Sequence, residues 1–453
     1  MKNFTPSKQS VDFAYSLKFE DIPENAINML KICLFDYLGC AIGGVNNNFS
    51  RPAKVLVEQM GGEKQANLIN LDKKTTILNA SFFNAFVGHI LEMDDVDRSS
   101  ISHPATVVIP AALAIAQYNN KNGKDFITAI CAGYEVMLRI GTSITPAHYE
   151  VFHTTATTGV FGASIAASKL FDLDTQKMLY AFGNAGTMSS GLWQFIQNGG
   201  NSKFLHAGNA CKNGVLSAYL ASKDFTGADR ILEGTQGFFK GYARQDIDES
   251  IFSDYGNRFR SAEVSIKPYP CCRHTHSAIN ASNELFGKIN AKDIEKVIAK
   301  TYNTAIKIAG KESPKTPQEA KFSLKFCIAR TLLNGAVKGS DFTELFLHDK
   351  NTKELMSKIE IVEDEAINKM LPLNWASQID VILKDGTKMT SKIKAPLGDP
   401  ENPISFDEIK FKFDQMTNGL ISNENQEKIA YFCKNIEKQS NLDYLFSLIK
   451  GKK

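Results

Sequence analysis

The stretch IKPYPCCRHTHS, residues 266–277, sits where one structural pattern ends and another begins. Two prolines keep its first half out of a helix. It carries Lys267, Arg273, His274 and His276 beside Cys271 and Cys272. Four groups able to bear positive charge in so short a span, just before a helix start, point to an anion-binding site. On its N-terminal side the chain reads as helix after helix. Apolar residues recur at helical spacing over 25–39, 79–93, 104–117, 124–140, 158–170, 174–191 and 206–223. Ala, Gly and Ser recur along these segments, which suits close helix-on-helix packing. Pro104 stands at a favoured first-turn position, and Pro110 is expected to kink that helix or mark its true start.

On its C-terminal side the patterns mix. Residues 262–267 alternate like a strand, 277–288 read as a helix, 296–302 as a strand, and 317–334 as a helix. Residues 359–363 read as a short strand, and 378–394 as a hairpin turning at Asp385-Gly386. APLGDPENPIS, residues 395–405, reads as a linker, and helices follow from Phe406 and Asn425. The expected architecture is mainly α with an α+β second domain. It comprises a helical domain over 1–262, an α+β domain over 263–398, and C-terminal helices over 399–453 that rejoin the first.

A chain of 453 residues exceeds what one hydrophobic core spans, in keeping with two domains. The net charge of +3 is close to neutral at this size, and lysines are scattered, so nucleic acid is not an expected partner. The N-terminus lacks the apolar core of a signal peptide, and no apolar run is read as long enough to span a bilayer. The eight cysteines lie mostly in apolar runs, as reduced core thiols do, and a cytoplasmic location is expected. No dinucleotide-binding glycine motif, phosphate-cradling loop or G-x-S-x-G elbow occurs, so neither a nucleotide cofactor nor a hydrolase elbow is expected. Adjacent cysteines make poor zinc co-ligands, and no metal site is expected.

A second cluster, GHILEMDDVDRSSISHP over 88–104, gathers His89, Glu92, Asp94, Asp95, Asp97 and His103. His103 precedes a helix start, where free N–H groups and the helix dipole favour a bound anion and a neutral imidazole. The acids admit three readings: a solvated helix end, a Mg²⁺ site, or carboxylates working beside histidine as acid/base or orienter. Acids at a helix C-terminus oppose the dipole, which favours the third. His153, in VFHTTATTG, stands next to Thr154, Thr155 and Thr157, whose hydroxyls are candidate carboxylate donors. Lys203 and His206 follow Gly199-Gly200.

Taken together, GHILEMDD with SHPATVVIPAALA, FHTTATTGVFGASIAASKLFDLD, KFLHAGNACKNGVLSAYLASKDFTGADRILEG, KPYPCCRHTHSAINA, AKFSLKFCIARTLLNG and LGDPENPIS resemble the MmgE/PrpD family, in the family's order and over nearly the whole chain. The resemblance implies a large helical domain formed by both chain ends, a smaller α+β lid domain, and a homodimer. It implies cofactor-free chemistry on a small di- or tricarboxylate, as in 2-methylcitrate dehydratase, cis-aconitate decarboxylase and iminodisuccinate epimerase. The decarboxylase site carries over to His103, His153, Lys203 and Lys267. Glu92 stands where its motif has aspartate, Val96 where it has threonine, and Cys272 near its lid histidine. These departures favour a hydro-lyase over a decarboxylase, with an epimerase as the alternative and a non-catalytic carboxylate binder behind it. The implied roles are His103 as base, with His153 or an acid of the Glu92–Asp95 group protonating the leaving hydroxyl. Lys203, Lys267 and Arg273 would hold carboxylates, with His89, Cys272, His274 and His276 lining the site.

Overall fold

The computed structural model describes residues 4–450. The chain divides into two compact units, one of Met1–Val264 with Ser405–Lys453 and one of Ser265–Ile404.

The first unit is built from the helices Glu24–Val45, Ile77–Gly88, Ala105–Tyr118, Gly123–Ile144, Gly159–Leu170, Thr175–Thr187 and Ser202–Ser222. Every residue from Ala105 to Ala116 is buried, as expected of a helix that is apolar on all sides. Pro110 lies inside this helix and does not mark its start. Gly159–Leu170 packs against Ser202–Ser222, Gly123–Ile144 and Ala105–Tyr118, and small residues line the contacts. Ser217 donates to Ser164 across one of them at 2.9 Å. A short antiparallel pair, β1 (Ala66–Asn67) with β2 (Lys74–Thr75), completes this part.

Glu24–Val45 and Gly123–Ile144 are each 22 residues long and apolar enough, by length and composition, to cross a bilayer, which corrects the reading that no segment reaches that length. Charged residues such as Asp36, Glu135 and Arg139 interrupt their apolar runs and hide the length. The apolar windows of these helices are 67% and 94% buried inside the protein, where they serve as core helices.

Ser405 opens the helix Phe406–Thr417 with a capping box. Its hydroxyl accepts from Glu408 N–H, and Glu408 accepts from Ser405 N–H at 2.8 Å. This helix lies on Glu24–Val45. Phe413 stacks on Phe35 at 4.2 Å, and Lys412 pairs with Asp36 at 2.5 Å. Lys412 also donates to the carbonyl of Met93 at 2.6 Å, so a residue near the chain's end braces the acidic segment.

The second unit holds a four-stranded sheet in the order β4 (Ile359–Glu363), β3 (Ile294–Thr301), β5 (Ser377–Leu383), β6 (Lys388–Ile393). β3 runs parallel to β4 and antiparallel to β5, and β5–β6 is the hairpin read at Asp385-Gly386. The helix His276–Leu285 packs on β5 and β6 and against Leu324–Asn334.

Four elements differ from the sequence reading. The helix expected to reach residue 93 stops at Gly88, because the acids that follow are buried in a loop and not held at a helix end. Residues 262–267 form no strand; Arg260–Glu263 is a 3-10 turn, and Ile266 N–H donates to Gly398 O. The 317–334 helix is two pieces, Pro317–Ala320 and Leu324–Asn334, because Ser323 turns to cap Phe326 N–H and to donate to Lys311 O. Residues 395–404 are not a loose linker. Gly398 has φ +92°, and a Cβ there would lie 1.9 Å from Ile266 O, so only glycine lets this segment pass.

Candidate active site

The loop from His89 to Pro104 carries most of the titratable groups. Its backbone is strained at two points: Glu92 at φ +60° and Ile101 at φ +49° are both left-handed, and a β-branched residue rarely is. Such strain persists where the surroundings over-determine it, often at functional sites. An antiparallel bridge between Asp97 and Ser102 closes the Ile101 turn, and Asp97 accepts from Ser100 N–H at 2.7 Å. The loop thereby delivers His103 to a fixed place, with His103 N–H donating to the Thr155 hydroxyl at 3.1 Å.

His103 Nδ1 lies 2.6 Å from the carbonyl oxygen of Asp95. A carbonyl only accepts, so Nδ1 carries the hydrogen and Nε2 of the neutral ring carries the lone pair. His89 Nδ1 lies 2.7 Å from Asp94 Oδ2, so that nitrogen carries a hydrogen toward the carboxylate. Asp94 Oδ2 is also 3.5 Å from His103 Nδ1. His153, the residue before the short helix Thr154–Thr157, joins them. Its ring stacks on His89 at 5.6 Å and 12°, and its centroid is 6.5 Å from that of His103. Trp193 packs against it at 4.6 Å. His153 Nε2 and His89 Nε2 are buried and have no hydrogen-bond partner among the described residues. Burial, then the nearby His206, His89, Lys203 and His103, pushes His153 well below the ordinary imidazole range. Burial, His89 and Lys203 push His206 down to about 4. Both rings are therefore neutral at pH near 7.

Lys203, in the first turn of Ser202–Ser222, donates to both oxygens of Glu92 at 2.6 and 2.5 Å. The structure thus brings His89, Glu92, Asp94, Asp95, His103, His153 and Lys203 into one buried group within the first unit. Asp95 has a distinct task there. Its Oδ1 accepts from Ala105 N–H at 2.9 Å and its Oδ2 from Tyr134 Oη at 2.9 Å, so the helix N-terminus expected to receive an anion is occupied by an internal carboxyl. The three threonines after His153 divide as well: Thr155 holds His103, Thr157 contacts His148 at 2.8 Å, and Thr154 Oγ1 has no partner among the described residues.

Burial, then the charge of Asp94, holds Asp95 well above the ordinary carboxylate range, against the Ala105 and Tyr134 hydrogen bonds that lower it. A carboxyl whose folded pKa is raised binds more protons folded than unfolded. Its destabilising contribution is absent below the ordinary range and grows as pH rises toward the folded value. Asp95→Asn keeps an acceptor for Ala105 and removes that penalty. Urea unfolding from about pH 4 to about pH 7 is expected to show the stability of the variant, relative to wild type, rising with pH; a relative stability that falls with pH would contradict the assignment.

In the second unit, Lys267 is fully buried, and Arg273 pairs with Asp399 and donates to Leu397 O and His276 Nδ1. Ser265 donates to the same Asp399 oxygen at 2.6 Å. His274 stacks on Trp375 at 4.4 Å and meets Tyr302 Oη at 2.7 Å. Burial, then Arg273 and Lys267, pushes it down to about 3, so it is neutral. Cys271 meets Thr275 Oγ1 at 3.1 Å, and Cys272 N–H donates to Lys321 O. The stretch expected to present four cations therefore contains a neutral His274 and a guanidinium already engaged by an internal carboxylate.

Sequence reasoning did not single out Trp193, Tyr134, Lys412 or Asp399. Only Trp193 carried a signal, as one of two tryptophans in the chain.

The MmgE/PrpD N-terminal domain matches residues 8–250 and the MmgE/PrpD C-terminal domain matches residues 269–438. The chain is 25% identical to a cis-aconitate decarboxylase-like protein of Aspergillus oryzae over 96% of its own length and 95% of that protein's. It is 26% identical to cis-aconitate decarboxylase of Homo sapiens, over 82% and 79% of the two chains. It is 21% identical to 2-methylcitrate dehydratase of Escherichia coli strain K12, over 78% and 76%. With both domains matched across most of its length, the chain belongs to the MmgE/PrpD family.

Proposed function

We propose that this protein is a lyase acting on a small tricarboxylic acid, and that it removes water across a carbon–carbon bond beside a carboxylate. The observation that carries the proposal is the pairing of His103 Nδ1 with Asp95 O, which directs Nε2 to the role of base. In the reaction, His103 Nε2 takes the proton from the carbon next to a carboxylate. The electron pair forms the double bond, and the hydroxyl on the adjacent carbon leaves as water with the proton returned by the His103 imidazolium, while the neutral His153 Nε2–H donates a hydrogen bond to the departing oxygen. The Lys203 ammonium, with three donors, offsets charge that develops on the substrate. The lyase names of the relatives support the reaction class.

Decarboxylation is the second reading, favoured by the relatives named as cis-aconitate decarboxylases that match nearly the whole chain. Against it stand Glu92, Val96 and Cys272 at positions where the decarboxylase pattern differs. Mass spectrometry of products from a panel of di- and tricarboxylic acids separates the readings. Loss of water with new ultraviolet absorbance is expected. Loss of carbon dioxide would replace dehydration by the second reading, and α-proton exchange in D₂O without a new double bond would make the protein an epimerase.

A further inference from the structure

His153 Nδ1 lies 3.2 Å from His206 Nδ1, and the two ring centroids are 5.4 Å apart. Both rings are neutral, so one hydrogen lies between them and belongs to one ring or the other. The surroundings decide which. His153 Nε2 is buried and has no hydrogen-bond partner among the described residues. A lone pair there would be repelled by the anionic substrate of the proposed reaction. An N–H at His153 Nε2 avoids that penalty, and it leaves His153 Nδ1 to accept from His206.

His206 is placed to be that donor. It stands on the second turn of Ser202–Ser222 and half-lines a cleft of about 850 Å³ with Gln194, Phe195, Asn209 and Tyr242. Phe195 meets its ring edge-on at 5.5 Å. Behind it, Gly191 has φ +132°, and its carbonyl accepts from His153 N–H at 3.0 Å. A Cβ at Gly191 would sit 2.7 Å from that of Ala156, so glycine lets this backbone pass and hold His153 N–H.

We infer that His206 is a positioning residue: its Nδ1–H donates to His153 Nδ1 and locks His153 as the Nε2–H tautomer, a hydrogen-bond donor facing the base His103. One histidine is thus held as base by a carbonyl and the other as donor by a second imidazole. The inference rests on the proposed donor role of His153, but the tautomer itself is measurable without any substrate.

Nitrogen-15 NMR of the full-length protein labelled at histidine is expected to show His153 protonated on Nε2 and not on Nδ1. A wild-type spectrum with the hydrogen on His153 Nδ1 overturns the inference. His206→Phe removes the donor. Its kcat is expected to fall between about 10²- and 10⁴-fold, the range seen when a preorganised donor or its tautomer is lost, with KM within about threefold of wild type. His206→Gln, whose amide can still donate, is expected to stay within about tenfold of wild-type kcat. Full activity in the phenylalanine variant, or a glutamine variant no better than it, also overturns the inference. If the wild-type protein turns over none of the acids tested, the proposed function fails, and the NMR spectrum still decides the tautomer.

Discussion

His103→Ala is expected to lower kcat by about 10²–10⁴-fold on whichever acid proves to be the substrate, with the fold retained. The magnitude follows from what the side chain does and from what it does not do. Its Nδ1 is committed to Asp95 O, so the atom assigned to the chemistry is Nε2. The loop does not depend on the imidazole for its path, since His103 N–H is held by Thr155 and the turn before it is closed by the Asp97–Ser102 bridge. Losing the ring leaves Asp95 O without that donor, at a stability cost of about 1–3 kcal/mol. His148 provides the control. It is more deeply buried, but both its nitrogens are engaged, by Tyr242 O and Thr157, and burial holds it at about 4. His148→Asn is therefore expected to lower the thermal midpoint and leave kcat within a few-fold. Circular dichroism melts and initial rates on the two variants check this. A His103→Ala enzyme with wild-type kcat would remove the base from the proposed mechanism.

The contrast between these two histidines shows what could be read from the chain and what could not. The helices of the first unit were legible because burial imposes a 3.6-residue period on apolar residues, and the β5–β6 hairpin because Asp385-Gly386 is a turn with its own chemistry. The loop over 89–104 was not. Its apolar residues continue the helical spacing past Gly88, and only the requirement to bury Asp94 and Asp95 on hydrogen-bond partners bends the chain away. The motif residues His103, His153 and Lys203 could be named from their resemblance to a family. Which groups pair with them could not be read, since most partners lie far off in sequence, although Asp95 is only eight positions from His103. Lys203 reaches back to Glu92, Arg273 forward to Asp399, and Lys412 to Met93 O and Asp36. A charge in a sequence looks available until the fold shows which counter-charge it has taken. For Arg273 that partner is a carboxylate 126 positions away.

The same consideration makes Lys203 the second strong test. Read alone, it is a cation for a substrate carboxylate; in the structure its ammonium faces both oxygens of Glu92, with 4% and 1% of the two side chains exposed. Breaking a buried pair by removing one partner strands the other charge, and Lys203→Met is expected to destabilise the protein by about 3–5 kcal/mol. Replacing both partners removes the stranded charge, so Glu92→Met combined with Lys203→Met is expected to unfold within about 1 kcal/mol of wild type. Urea titrations of wild type, the single variants Lys203→Met and Glu92→Met, and the double variant measure the coupling, and additive losses would mean that the pair carries no net interaction. The folded double variant then isolates the second role. A hydrogen bond to a charged group contributes roughly 1.5–3 kcal/mol. If Lys203 also holds a substrate carboxylate, KM rises by about tenfold or more in the double variant although its stability is restored. Unchanged KM would make Lys203 a strut for the strained turn at Glu92, and the substrate's charge would then have to be met by another cation.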